Sequence, residues 1–321
     1  MRISVVIPTF KRSKLLIRCL DSIYKQSLAA DLFEVIVVSD GPDHATEYLV
    51  TLWKTEKGIN LKFIQSPVKA GPAAARNLGW LAAKAPLIAF IDDDCMADKY
   101  WLRALNNAYK DEELIAFSGC TKVPIPLQPT DFAHNLAQLE TAEFITANCA
   151  CTKSALLAIG GFDQRFKMAW REDSDLHFKL LSHNIPIKKI ADALVIHPVT
   201  NRPWGNSLKE QCKAQYEALL YKKFPNIYRQ KIDKKQVYQF YVINLCLLGA
   251  AVAYFSKKEA WMWLCLFSSI ALITSFAIKR IKPTSKAYPH VVEMLITSLL
   301  IPSISCYWRL RGALKFRTFF I

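Results

Sequence analysis

The sequence predicts a doubly wound α/β domain followed by a C-terminal helical membrane region, and three observations carry that expectation. Short apolar strands alternate with amphipathic helical stretches from residue 3 to residue 91, the pattern of a sheet covered by helices. The apolar run 87–91 ends abruptly in Asp92, Asp93 and Asp94, which puts three carboxylates where a buried strand leaves its sheet. Open α/β sheets bind ligands at that end. Farther on, residues 237–255 and 260–278 hold no charge at all, each run close to the roughly 20 residues that cross a bilayer as a helix.

In order, residues 3–7 form a short buried strand stopped by Pro8, and Thr9 to Ser13 is a polar turn containing Lys11 and Arg12. Leu15, Leu16, Cys19, Leu20 and Ile23 then share one helical face. A second strand, 33–38, is broken by Ser39-Asp40-Gly41-Pro42, so Asp40 occupies the same sheet edge as Asp92. A helix at 45–53, a strand at 61–64 and a helix opened by Gly71-Pro72 follow; proline is favourable in a first turn, where its missing N–H would be unpaired anyway. After the acidic triplet come a helix at 100–109 and a strand at 114–118. Three prolines between 124 and 129 mark a loop, either a connector or the wall of an acceptor cleft. A strand at 146–151 and a tight turn at Gly160-Gly161-Phe162-Asp163 precede Glu172-Asp173-Ser174-Asp175, with Leu176, Leu180 and Leu181 at helical spacing behind. Acids suit a first helical turn through its dipole, so capping alone can account for this group. An edge strand at 187–196 ends in His197-Pro198.

Charge divides the chain. Residues 1–200 carry 23 Lys and Arg against 22 Asp and Glu, whereas residues 201–321 carry 19 against 5. A near-neutral front joined to a basic, apolar back points to anionic lipid or nucleic acid. The basic residues flank apolar runs, so lipid is the expected partner and nucleic acid is not. Residues 207–224 read as an amphipathic basic helix with Lys209, Lys213, Lys222 and Lys223, and Arg229, Lys231 and Lys234 extend the charge. Only Ser256, Lys257, Lys258 and Glu259 separate the two uncharged runs, which would form a hairpin; a buried soluble hairpin is the alternative. Lys279, Arg280, Lys282 and Lys286 follow the second run, so the positive-inside bias puts both flanks in the cytoplasm. A third run, 291–307, contains Glu293 and Pro302 and precedes Arg309, Arg311, Lys315 and Arg317, which favours a re-entrant or interfacial segment. Met1-Arg2 runs straight into a strand without a cleavable leader, so the front part is expected in the cytoplasm, at the inner membrane. Nine scattered cysteines without zinc spacing read as reduced thiols. The expected divisions are 1–204, 205–235 and 236–321.

Along an extended backbone, Asp92 and Asp94 project to one side and Asp93 to the other. Two carboxylates on one side suit a hard divalent cation shared with phosphates; a solvated turn capping the next helix through Asp98 is the simpler alternative.

Six ordered motifs carry a resemblance: Val5-Val6-Ile7-Pro8-Thr9-Phe10, Val37-Val38-Ser39-Asp40-Gly41, Gly71-Pro72-Ala73-Ala74-Ala75-Arg76-Asn77, Ile91-Asp92-Asp93-Asp94, Gly160-Gly161-Phe162-Asp163 and Glu172-Asp173-Ser174-Asp175-Leu176. Over about residues 3–200 the chain resembles family 2 of the glycosyltransferases, of the membrane-associated bacterial type. The resemblance implies the GT-A fold, a Rossmann-like mixed sheet flanked by helices. It implies that Asp40 and Pro8-Thr9 hold a nucleotide base, that Arg76 and Asn77 lie near the nucleotide sugar, and that Asp92 lies near the ribose. Asp94, with Asp92, would hold Mg²⁺ or Mn²⁺, and Asp93 would support from the other face. Asp173 would be the catalytic base, with Glu172 as the second choice or an orienting group. His197 is either a third metal ligand or an ordinary strand-end histidine, and Asn148 either contacts the transferred sugar or is a core amide. Trp170 and Arg171 abut the base and could meet a sugar.

No G-x-G-x-x-G or P-loop occurs, and the family's processive Gln-x-x-Arg-Trp motif is missing after His197. The implied function is inverting transfer of a single sugar from a nucleoside diphosphate donor, a UDP-sugar first and a GDP-sugar second. The acceptor would be lipid-linked, or a membrane-proximal glycan, in cell-envelope glycan or glycolipid synthesis. A polyprenyl-phosphate sugar synthase is the near alternative, and an inactive membrane-bound nucleotide-sugar-binding scaffold the alternative of another class.

Overall fold

The computed structural model describes residues 1–232 and 235–320; Lys234 of the expected basic run lies outside them. The chain falls into two compact units, one of Met1–Pro124 with Ala137–Val199, the other of Ile125–Leu136 with the residues from Thr200 onward. The proline-rich stretch is therefore divided: residues 125–136 cluster with the second unit.

The first unit is built on a single mixed sheet of eight strands: β1 (Ile3–Thr9), β2 (Phe33–Ser39), β3 (Leu61–Gln65), β4 (Leu87–Phe90), β5 (Met96–Ala97), β6 (Ala116–Lys122), β7 (Cys149–Thr152) and β8 (Ile187–Ile196), in the order β3-β2-β1-β4-β7-β6-β8-β5. The strands from β3 to β4 are parallel, β7 is antiparallel to both β4 and β6, and β6 and β8 are parallel. Side-chain alternation sends Ile3, Val5, Ile7, Leu87 and Ala89 to one face, against Leu16 and Leu20 of α1 (Ser13–Tyr24). Val6, Ile88 and Phe90 go to the other face, against α3 (Pro72–Ala82) and α7 (Glu172–Ser182). Both faces are thus covered, and every residue of β1, β2 and β4 is buried, including the hydrogen-bonded Ser4 and Glu34. The remaining helices of this unit are α2 (His44–Lys57), α4 (Trp101–Ala108) and α6 (Lys153–Ile159); α5 (Asp131–Leu136) falls in the second unit.

Three expectations need correction, and one helix is additional. β1 does not stop at Pro8 but pairs Pro8 with Val38 and runs to Thr9. Val6 gives its carbonyl to Ile91 on the β4 side, so position 8 turns its missing N–H toward a strand that has already ended at Phe90. β8 is not an edge strand, because the two-residue β5 pairs Met96 and Ala97 with Ile196 and Val195. β6 begins at Ala116 and runs to Lys122, with a register shift at Gly119 and Cys120. The short helix α6 went unforeseen; Thr152 caps it by accepting the Ala155 N–H, and Gly160, at φ +72°, ends it in the left-handed conformation.

In the second unit the expected basic helix divides into α8 (Asn206–Glu210), a 3₁₀ segment Gln211–Ala214, and α9 (Gln215–Lys223), followed by α10 (Pro225–Lys231). Among the described residues, three helices are long and apolar enough to cross a membrane: α11 (Lys235–Phe255), whose apolar stretch begins at Val237, α12 (Glu259–Ile281) and α13 (Tyr288–Lys315). The first two form a hairpin. α13 meets that hairpin at its base: Ile301 and Cys306 cluster with Phe240, Ile243 and Phe276, and Ser303 Oγ donates to Asn244 Oδ1 at 2.8 Å. Toward its two ends α13 rests on the α8 to α9 stretch. Glu293 accepts the Gly205 N–H at 2.8 Å, and Gly312 packs so closely on the Gln215 backbone that a Cβ there would collide with it. Arg280 ties the assembly, pairing with Asp131 at 2.8 Å and donating to Thr297 and Ser298 hydroxyls.

The exposed face of α13 is apolar, and its buried face mixes polar residues with Met294, Ile301 and Cys306. Thr297, Ser298, Ser305, Arg309 and Gly312 are buried, while Leu295, Leu299, Leu300, Leu310 and Leu314 are exposed.

Candidate active site

The three acids leave the sheet just past β4, and the backbone closes a turn there through Cys95 N–H to Asp92 O at 3.1 Å. Alternation consequently survives for one step and then fails. Asp92 faces the α3 side, where Arg76 Nη2 meets its Oδ1 at 2.7 Å. Asp93 faces the α1 side, taking Thr9 Oγ1 and Arg12 Nη1, each at 2.7 Å. Asp94, expected beside Asp92, instead joins Asp93: Arg12 Nη2 reaches its Oδ2 at 2.5 Å.

Arg76 is the inner hinge of the site. Its guanidinium bridges Asp92 to Glu172 Oε1 at 3.2 Å, with only 3% of its side chain exposed, and lies 5.7 Å from the Phe162 ring centre. The bridge joins the acid turn to the first turn of α7, with Arg76 and Glu172 96 positions apart along the chain. Burial works against the charge on Arg76, but Asp92 and Glu172 outweigh it and hold the group above its ordinary value. Among the described residues, Arg76 Nε and Glu172 Oε2 are buried without a hydrogen-bond partner, so the pair retains polar capacity.

Glu172 and Asp173 stand differently. Glu172 is buried and committed to Arg76, whereas Asp173 is half-buried and accepts the Ser174 N–H at 2.6 Å. Burial raises both carboxyls. Glu172 is pushed to about 7, with the charge of Asp173 adding to burial and Arg76 opposing it; Asp173 is raised by burial against the Ser174 N–H and Arg171. Asp93 is also pushed to about 7, by burial first, with Arg12 pulling down and Asp94 pushing up. A carboxyl held above its ordinary value is a base only above that raised value. With Asp173 as the base, raised by burial, we therefore expect kcat/KM to fall with decreasing pH before the ordinary carboxylate range is reached, and a profile that stays flat into that range would contradict it. The stability linkage has the opposite sense. The folded Glu172 carboxyl keeps its proton at a pH where the unfolded one has lost it, so this group favours folding at the acid end and opposes it above 7.

Other expected residues are part of the frame. Asp40 Oδ1 accepts the Ala70 and Gly71 N–H groups at 2.8 Å each, fixing the loop that opens α3. Gly71 sits at φ +100°, and a Cβ there would lie 2.7 Å from Lys167 O. Thr9 spends its hydroxyl proton on Asp93, and Pro8 lies within β1. Asn77 donates to Phe162 O and accepts from Phe162 N and Trp80 Nε1, locking the Gly160-Gly161 turn to α3. Asn148 donates to Cys120 O and Ala193 O and accepts from Trp101 Nε1 at 2.9 Å, which is the core-amide alternative. Arg171, at φ +71°, lays its guanidinium 4.9 Å from the ring centre of Trp170, itself 41% exposed.

His197 follows β8, held by its N–H to Lys122 O, and its Nε2 lies 3.7 Å from Asp94 Oδ1. Two ligands about 2.1 Å from one octahedral ion stand about 3 Å apart when adjacent and about 4.2 Å apart when opposite; the observed spacing lies between these, so the pair would have to close toward about 3 Å to share Mg²⁺ or Mn²⁺ as adjacent ligands. Cys95 completes a group whose ligand atoms lie within 4.8 Å of one another, but burial pushes its thiol well up and keeps it protonated, a poor ligand for a hard ion. Asp92 is outside the group, turned away to Arg76.

Two participants escaped sequence reading: Arg12, taken only as part of a turn, and Phe162, taken as part of a tight turn. A basic residue just past β1, at the edge that carries three unneutralised acids, was the available signal for Arg12.

The family model described as Glycosyl transferase family 2 matches residues 4–167. Validoxylamine A glucosyltransferase of Streptomyces hygroscopicus subsp. jinggangensis is 27% identical over 223 residues, 58% of this chain and 52% of the relative. Chondroitin synthase of Escherichia coli is 24% identical over 279 residues, 71% of this chain and 39% of the relative. The chain thus spans about half the length, or less, of these relatives. Among solved structures, the mannosyltransferase PcManGT of Pyrobaculum calidifontis, in complex with GDP-Man and Mn²⁺, has a TM-score of 0.57 at 18% identity, covering 98% of this chain and 87% of that one. TarS residues 1–349 of S. aureus has a TM-score of 0.51 at 14% identity, covering 97% and 92%.

Proposed function

The chain belongs to glycosyl transferase family 2, and from that premise we propose that it moves a single sugar, with inversion, from a nucleoside diphosphate sugar to a lipid-linked acceptor at the cytoplasmic face of a membrane. The observation that carries the reading is the Asp92, Arg76, Glu172 bridge, because it brings the acid turn and the acidic start of α7 into one site. Asp173 is the base. It is the most exposed of the three acids in the first turn of α7, and the neighbouring Glu172 is bound to Arg76. The base takes the proton of the acceptor hydroxyl as that oxygen attacks the anomeric carbon opposite the diphosphate. Asp94 and His197 would hold Mg²⁺ or Mn²⁺, which when bound supplies Lewis-acid neutralisation of the leaving diphosphate. Asp40 and the end of β1 bound the nucleotide's side of the site. GDP-Man with Mn²⁺ in the neighbouring mannosyltransferase supports a nucleotide sugar and a divalent ion, and leaves GDP- and UDP-sugars both to be tried.

The test is nucleotide release by the full chain in detergent, given Mn²⁺, a membrane lipid extract and UDP-, GDP-, CMP- and dTDP-sugars in turn. Release with a single donor, dependent on the extract, is expected; no turnover with any donor would overturn the reading.

The membrane arrangement we propose has α11 and α12 crossing as a hairpin and α13 lying in the interface. Contacts at the hairpin base and along α8 to α9, together with the apolar exposed face of α13, support this. Alkaline extraction is expected to leave the chain in the membrane. In sealed vesicles, a cysteine at position 317 is expected to label from the same side as one at 209, and from the opposite side to one at 256. Labelling of 317 together with 256 would make α13 a third span.

A further inference from the structure

We infer that Arg12 is a resident counter-ion which holds the acid turn in the metal-free protein and must leave Asp94 for a divalent cation to bind, so that it sets the affinity for that ion; this rests on the metal site proposed above. The two oxygens of Asp94 face different partners: Oδ1 lies 3.7 Å from His197 Nε2, and Oδ2 lies 2.5 Å from Arg12 Nη2. Arg12 and an ion held by Asp94 and His197 therefore draw on the same carboxylate. The guanidinium fork spans neighbouring acids, with Nη1 on Asp93 Oδ1 at 2.7 Å, which suits planar bidentate pairing. Among the described residues no other Lys or Arg pairs with Asp93 or Asp94.

Two features suit Arg12 to exchange. Its side chain is 37% exposed, so withdrawing it toward solvent sacrifices little packing, whereas Arg76, 3% exposed, cannot leave without opening the core. Its placement is also specified by the backbone. Lys11 takes φ +53°, uncommon for a residue with a Cβ, and its N–H is held by Asp43 Oδ2 at 2.7 Å, which turns the chain at the end of β1 and brings position 12 over the acids. A dication on Asp94 would repel the guanidinium, leaving it Asp93 or an incoming diphosphate as partner. Arg12 is thus a positioning residue, acting on the metal through Asp94.

Free Mn²⁺ followed by electron paramagnetic resonance, without nucleotide, reads this directly on the full chain in detergent. Arg12→Gln is expected to bind Mn²⁺ about tenfold more tightly than the natural chain, within the usual range of coupling between sites. Arg12→Lys, whose point charge serves one carboxylate at a time, is expected to fall between the two, and it serves if the Gln variant does not fold. Asp94→Asn is expected to lose binding. Equal or weaker Mn²⁺ affinity in the folded Arg12 variants, with Asp94→Asn deficient, would overturn the role of Arg12 and leave the metal site standing. Unchanged binding in Asp94→Asn would overturn both.

Discussion

Asp173→Asn is expected to lower the rate of sugar transfer by about 10²- to 10⁴-fold, the usual contribution of a positioned general base, while donor binding persists. Asparagine keeps the shape of the side chain and can still accept the Ser174 N–H that now holds Asp173 Oδ1. Glu172 remains on Arg76, so the frame of the site survives the change. The variant loses only the ability to take a proton. Isothermal titration with the nucleotide product should give an affinity within a few-fold of the natural chain, and single-turnover transfer should give the rate loss. A variant that transfers at the natural rate would remove Asp173 as the base and favour the polyprenyl-phosphate reading, in which the acceptor is already an anion.

Arg76→Met should destabilise the first unit by about 3–5 kcal/mol at alkaline pH, the typical consequence of stripping one partner from a buried ion pair. Methionine fills much of the volume, so the loss is electrostatic rather than a cavity. Glu172, 5% exposed at its side chain and already raised to about 7, would then face burial without its cation. Its escape is to take up a proton. Losing the cation raises Glu172 further, so the destabilisation should shrink as pH falls toward about 7, and Glu172→Gln in the same chain should recover part of it, since the amide carries no charge to bury. For a unit of this size the loss amounts to roughly 10 °C in melting temperature. A melting point within 2 °C of the natural chain, at roughly the precision of such a scan, would show that the bridge contributes nothing measurable.

Much of the first unit was legible because its signals are local. The apolar runs that became β1, β2 and β4 have no polar face, and Gly71-Pro72 opens α3 through the fixed backbone of proline and the left-handed freedom of glycine. The strand-end positions of Asp40 and Asp92 follow from the same runs. Legibility stopped at Asp94, because alternation describes a strand and the backbone turns at Asp92. It also failed for β8, whose edge is covered by a two-residue strand too short to carry a pattern. Asn77 and Asn148 show a further limit: an amide in a motif reads equally as a ligand or as a brace, and only its partners decide.

By itself the sequence determined the α/β class, the acids at the sheet edge, the charge division of the chain and the presence of three apolar helices. Each rests on spacing within a few residues, where backbone geometry alone relates one side chain to the next. Only the tertiary structure decided which charge answers which. Arg12 meets Asp93 and Asp94 across 81 and 82 positions, Arg76 meets Glu172 across 96, and α13 turns its hydroxyls inward toward Arg280. An ion pair is chosen by distance and burial in space, and neither is a property of positions along a chain.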